Sequence, residues 1–442
     1  MCTAVVAIAF EAIAVATALP SAARELNGLR YYAWAFSTLQ VGILLATVTT
    51  GRLADRIGPA RPMIAGLAIF AVGLVVAATS TTMAQLIAGR LVQGLGSGTI
   101  GVSITVCIAR LFEPRLRPRM FTYISTAWVL PAFFGPSVSA WLTQRFGWPW
   151  VFWAVLPLVA FAAVMVVPSL LALMRAPGPA TDGPPATRPP AALWAAALAA
   201  AAVVSLQLAG QRLDTGSILL VVAGVVLLAA SLPNLMPLGF FRFAAGLPAV
   251  VVVLALIAGS FFGAEAFIPL MLVEQRGLTL LLAGTVLTVG SVGWTTGSWL
   301  QARPRLSRRR DRIITAGAGL VASGLALTVL AASVPTLWAG LVGVGWVVSG
   351  LGMGLAFSST SVAAMTLSAP VEQGRNSSSL ALGEALGGSL LVGLSGTIFA
   401  TLHPSGRLAL TFGWVLGAMA VMAVVATLFS LRIGRMSNEL HS

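Results

Sequence analysis

The sequence predicts an all-α integral membrane protein of about fourteen transmembrane helices: two six-helix bundles related by a parallel pseudo-two-fold repeat, plus an inserted helix pair. Three observations predict it. Apolar stretches recur from end to end, arginines gather in the segments between them, and a glycine-rich pattern occurs twice.

Of 442 residues, 58% are hydrophobic and only 9% charged, with a mean hydropathy of +0.96. A soluble domain of this length needs a far more polar surface. Stretches of about 20 apolar residues each suffice to cross a hydrocarbon core about 30 Å thick. Backbone groups in lipid must be paired internally, so the spans are helices; the alternation of barrel strands is absent. Hydropathy and helix breakers place them at 3–23, 33–52, 62–80, 83–109, 120–143 and 149–173, then 191–210 and 216–232. Six more follow at 246–272, 279–300, 313–332, 336–367, 376–401 and 408–432. Residues 3–23 end in a small-residue stretch like a signal-peptide cleavage site, but they lack a basic leader and contain Glu11. They are read as the first membrane helix.

The net charge of +14 comes from 26 basic residues, all arginine. They lie in short segments between spans and form no continuous face, which argues against nucleic acid as a partner. The run Arg303-Pro-Arg-Leu-Ser-Arg-Arg-Arg-Asp-Arg312 is read as a cytoplasmic loop. With the N-terminus inside, inner segments hold 19 arginines and outer ones 6, so both termini are expected in the cytoplasm. Without lysine there is no Walker A loop and no Schiff-base chemistry. Cys2 and Cys107 suggest neither a disulfide framework nor a metal site, and His403 and His441 form no ligand cluster with the sparse acids. No cofactor and no enzymatic activity are expected.

The repeat matches Gly89-Arg-Leu-Val-Gln-Gly-Leu-Gly-Ser-Gly98 to Gly345-Trp-Val-Val-Ser-Gly-Leu-Gly-Met-Gly354 at an offset of 256; extended to Ser103 and Ser359, 7 of 15 positions are identical. Thr49-Thr-Gly51 recurs as Thr295-Thr-Gly297. Both copies run in the same direction, as in transporters that rock one half against the other. The expected organisation is a bundle over 1–174, a Pro-rich cytoplasmic linker at 175–190, the inserted pair and its loop at 191–245, and a second bundle over 246–442.

Glu11, Glu265 and Glu384 are the acids that fall clearly within spans, and Arg90 is the basic residue there. A charge at mid-membrane costs about 2.5–3.5 kcal/mol on insertion scales, so each needs a partner or a purpose. Proton coupling is one purpose; a fixed ion pair or a packed neutral carboxyl is the other. Glu11 and Arg90 are within reach if their helices are neighbours. Gln93, Trp34, Trp128, Trp294 and Trp346 are candidates for lining a substrate cavity, Trp346 because it occupies the repeat position of Arg90. Tryptophans near span ends also serve as interfacial anchors.

Several motifs resemble the major facilitator superfamily, in particular its fourteen-helix drug:proton antiporters. Gly51-Arg-Leu-Ala-Asp-Arg-Ile-Gly58 looks like the superfamily's loop signature, with Pro59-Ala60 where a basic pair is usual and Arg61 as its substitute. Arg90-Leu-Val-Gln-Gly-Leu-Gly96 resembles the helix 4 motif of proton-driven members, and Gly135-Pro136 the core of the antiporter motif, although Pro131, Ser139 and Ala140 replace its other glycines. Ala18-Leu-Pro20 and Trp148-Pro-Trp-Val-Phe152 are similar to the exporter branch. Gly51 and Gly58 are then expected to form a tight inner turn, and Asp55 to face a helix end or an arginine in one conformation only, flanked by Arg56 and Arg61. Gly135-Pro136 is expected to bend helix 5. The resemblance implies proton-coupled efflux of lipophilic or cationic small molecules across a bacterial inner membrane, with protons and membrane lipid as the other partners. A metabolite, lipid or siderophore carrier, by export or uptake symport, is the alternative.

Overall fold

The computed structural model describes residues 1–113, 116–175, 193–212, 214–303, 309–368 and 372–436. Within them the chain forms fifteen α-helices: α1 (Cys2–Glu25), α2 (Trp34–Ile57), α3 (Ala60–Ala78), α4 (Met83–Leu111), α5 (Arg117–Thr126), α6 (Val129–Phe146) and α7 (Pro149–Arg175); α8 (Leu193–Arg212) and α9 (Thr215–Leu235); then α10 (Leu247–Glu274), α11 (Leu280–Gln301), α12 (Arg310–Ser333), α13 (Gly340–Thr366), α14 (Gln373–Leu402) and α15 (Leu408–Ser430). Thirteen of the described helical segments are long and apolar enough to cross a membrane. The expected linker at 175–190 lies outside the described residues except for Arg175.

The span expected at 120–143 is broken into α5 and α6 at Ala127–Trp128. At Gly135-Pro136, where a bend is expected, α6 is assigned helix on both sides. The break follows Pro131, in the first turn of α6, whose ring crowds the carbonyl four residues back and which lacks an N–H to bond it. Side chains set the starts of three helices. Thr82 accepts from Gln85 N at 3.3 Å while Gln85 Oε1 accepts from Thr81 N, opening α4. Asp214 and Thr279 cap α9 and α11 in the same way.

Contacts divide the chain into two compact units, 1–196 and 197–442, with α9 and nearly all of α8 in the second. In the first, α4 packs on α2 and α3, while α1 packs on α6 and α7. In the second, α10 is central, meeting α11, α12, α13, α14 and α15.

The glycine repeat does the same work in each unit. Gly94 and Gly98 let α4 approach the α2 backbone at Leu39 and Ile43, and Gly350 and Gly354 let α13 approach α11 at Gly290 and Trp294. Gly89 and Gly96 face Ala77 and Phe70 of α3; Gly345 and Gly352 face Gly324 and Gly317 of α12. Helices that gain no hydrophobic drive from lipid associate through this close packing. The Thr-Thr-Gly match is not equivalent. Gly297 packs beneath the Leu351 carbonyl, whereas Gly51 faces open space.

Candidate functional site

In the first unit, four helices converge on Arg90. Its Nη1 donates to Glu11 Oε1 of α1 in an ion pair, and to Gln93 Oε1 at 2.6 Å, one turn along α4. Its Nε donates to the carbonyl of Ala35, in the first turn of α2, at 2.9 Å. Gln93 Nε2 in turn donates to the Gly73 carbonyl of α3 at 3.3 Å. Glu11 and Arg90 are each 1% exposed. A buried ion pair is tolerable only when its remaining hydrogen-bonding capacity is met, and the amide of Gln93 and the Ala35 carbonyl help meet it for the guanidinium. The expected pairing of Glu11 with Arg90 is therefore present. Gln93 stands differently from expectation: it is fully buried and holds Arg90, so it lines no cavity here.

The antiporter-like residues of α6 seal the same helix. Gly135 brings α6 against Ile13, and Ser139 Oγ donates to the Ala14 carbonyl at 2.5 Å, one turn past Glu11. A glycine at position 139 lacks that hydroxyl.

Across the repeat, the second unit replaces charge with rings. Trp346, at the position matching Arg90, is 1% exposed and stacks on Phe261 of α10, with centroids 4.3 Å apart and planes 20° apart. Trp294 of α11 meets Phe261 edge-on at 5.3 Å, tilts against Phe262 at 6.4 Å and meets Phe357 at 5.7 Å. Trp346 is thus a core residue and not, as expected, part of an accessible cavity wall. Gly290 leaves room for its indole, since a Cβ there runs into the ring.

The other candidates are dispersed. Glu265 of α10 and Glu384 of α14 are half-buried, and neither has a hydrogen bond or ion pair among the described residues. Gly383 and Gly387, flanking Glu384, pack on Val251 and Ala255 of α10. Trp34 is half-buried and Trp128 exposed at the α5–α6 break. In the loop signature only Gly58, at φ 79°, makes the turn; Gly51 lies within α2, so the expected two-glycine turn is replaced by a helix reaching Ile57. Arg56 and Arg61 are exposed, and the side chain of Asp55 lies outside the described residues. Sequence reasoning missed Phe261, Ala35 and Gly73. The last two act through backbone carbonyls, which carry no residue-type signal.

Residues 1–392 match the sequence profile of the Major Facilitator Superfamily. The chain belongs to this superfamily. It is a multi-pass membrane transporter, as the superfamily and its thirteen apolar helices together require. Over 432 residues it is 24% identical to a multidrug efflux pump of Staphylococcus aureus, covering 94% of this chain and 92% of the pump. Over 414 residues it is 26% identical to a probable multidrug-efflux transporter of Mycobacterium tuberculosis, covering 87% and 83%. The fold is similar to that of a D-xylose–proton symporter at a TM-score of 0.66, with 14% identity over 99% of this chain and 98% of the symporter.

Proposed function

We propose that this facilitator-superfamily transporter is a proton-driven exporter of lipophilic or cationic small molecules in a bacterial inner membrane, with both termini cytoplasmic. The Glu11–Arg90 pair carries the reading: a carboxylate and a guanidinium sealed within a membrane-spanning unit. An opposite charge favours an ionised carboxyl, and apolar surroundings favour a neutral one. A carboxyl that alternates between these settings loads a proton in one conformation and releases it in the other. Arg90 also has Gln93 and the Ala35 carbonyl as acceptors, which can solvate its charge when the carboxyl is neutral. The relatives named as efflux pumps and the arginine bias toward inner segments support the direction and orientation. Glu384 is the second candidate for proton exchange, and Asp55 for biasing the conformational equilibrium.

The test is flux in inverted vesicles with proton and Na⁺ gradients imposed separately. Proton-driven uptake of a fluorescent cation is expected in the wild type and is lost in Glu11→Gln, while equilibrium binding of the cation persists. Wild-type accumulation by Glu11→Gln, or flux driven by Na⁺ alone, overturns the mechanism.

A further inference from the structure

Four segments of the second unit come together at one end of it. Arg310, opening α12, donates through Nη1 to the carbonyl and the side-chain oxygen of Gln301, which closes α11. The segment after α15 bonds to two others: the Met436 amide donates to Asp311 Oδ1 of α12 at 3.4 Å, and Arg432 donates to the Phe243 carbonyl, between α9 and α10, at 3.2 Å. Charge is unevenly met there. The Asp311 carboxylate accepts from Arg309 through both oxygens, at 3.0 and 2.7 Å. Arg312 and Arg435, each next in the chain to a member of the Asp311–Met436 bond, are exposed, and their side chains have no hydrogen bond or ion pair among the described residues. Two guanidiniums thus stand beside a carboxylate that Arg309 already neutralises.

An apolar strip leads to these arginines. Val421, Val424, Leu428 and Leu431 are exposed at spacings of three and four residues, so they share one face of α15 and the turn that closes it. Two residues before Gln301, Trp299 is 59% exposed, and the Arg303 guanidinium lies 3.8 Å from its ring centre. A tryptophan paired in this way marks the level at which hydrocarbon gives way to headgroups. An apolar strip that ends at headgroup level in unneutralised guanidiniums suits an acyl chain ending in a phosphate, which arginine binds through paired N–H donors. The ammonium of a zwitterionic headgroup is repelled by the same guanidiniums, so the site favours net negative charge. We propose that Arg312 and Arg435 hold the phosphate of an anionic phospholipid whose acyl chain lies along Val424 and Leu428. Placing that lipid in the inner leaflet rests on the topology proposed above; the binding chemistry does not.

The test is native mass spectrometry of the full chain in detergent, offered phosphatidylglycerol and phosphatidylethanolamine with identical acyl chains. The wild type is expected to retain phosphatidylglycerol about tenfold or more over phosphatidylethanolamine, and Arg312→Gln combined with Arg435→Gln to reduce that preference to within about twofold. Leu428→Asn is expected to weaken retention of both lipids. Arg145→Gln combined with Arg407→Gln, which removes two exposed arginines elsewhere, is expected to keep the wild-type preference. Equal retention of the two lipids by the wild type overturns the proposal, as does an undiminished preference in the Arg312 and Arg435 variant, an equal loss in the Arg145 and Arg407 variant, or unchanged retention in Leu428→Asn. Displacement of phosphatidylglycerol by millimolar inorganic phosphate makes this a site for the free anion and overturns it too. A preference that depends on Arg312 and Arg435 in a wild type without proton-driven flux leaves the lipid site standing and removes the export reading.

Discussion

The two units build the same helix packing around opposite chemistry. At one repeat position, Arg90 is buried by ionic and hydrogen-bonded partners from α1, α2 and α4; at the other, Trp346 is buried by stacking on Phe261. The acids differ in the same sense. Glu11 is sealed against an arginine, whereas Glu265 stays half-open beside rings. The backbone repeat fixes where four helices meet and leaves the meeting point free to hold either an ion pair or an aromatic stack.

Removing one member of the sealed cluster is the strongest challenge to this contrast. Arg90→Ala strands the Glu11 carboxyl and the Gln93 amide oxygen, and is expected to cost about 3–5 kcal/mol, read as a lower unfolding midpoint in detergent. A loss within about 0.5 kcal/mol shows that the pair is dispensable for folding. On the aromatic side, Gly290→Ala places a methyl against the Trp346 indole and is expected to cost about 1–3 kcal/mol, with a change in tryptophan fluorescence as the stack shifts. The smallest effects separate true repeat from chance identity. Gly51→Ala, with open space at its Cβ, is expected to stabilise α2 by about 0.5–1 kcal/mol, whereas Gly297→Ala meets the Leu351 carbonyl and destabilises. Equal effects at the two positions restore the Thr-Thr-Gly equivalence.

Much of this was legible in the sequence because membranes make charge conspicuous. Glu11 and Arg90 interrupt apolar spans, and that alone demands partners. Glycines at fixed spacing announced the close helix contacts. The break in the fifth span was harder, since Pro131 and Pro136 both lie in it and only their position relative to the first turn decides which one interrupts the helix. Gln93 and Trp346 were misplaced for a common reason: hydropathy does not tell a side chain that faces a cavity from one that faces its own bundle. Thr-Thr-Gly misled because three identical letters fix no packing register.

The Glu11–Arg90 pair also has a consequence for synthesis. Its members are separated by 79 residues of chain. At about 5–20 residues per second, α1 waits roughly 4–16 s for its arginine to emerge from the ribosome. During that interval the nascent helix crosses, or lingers beside, the translocation channel carrying an acid whose eventual partner does not yet exist. Until then, only the valine-, alanine- and isoleucine-rich turns on either side of Glu11 offset the cost of carrying an unpaired acid into the membrane.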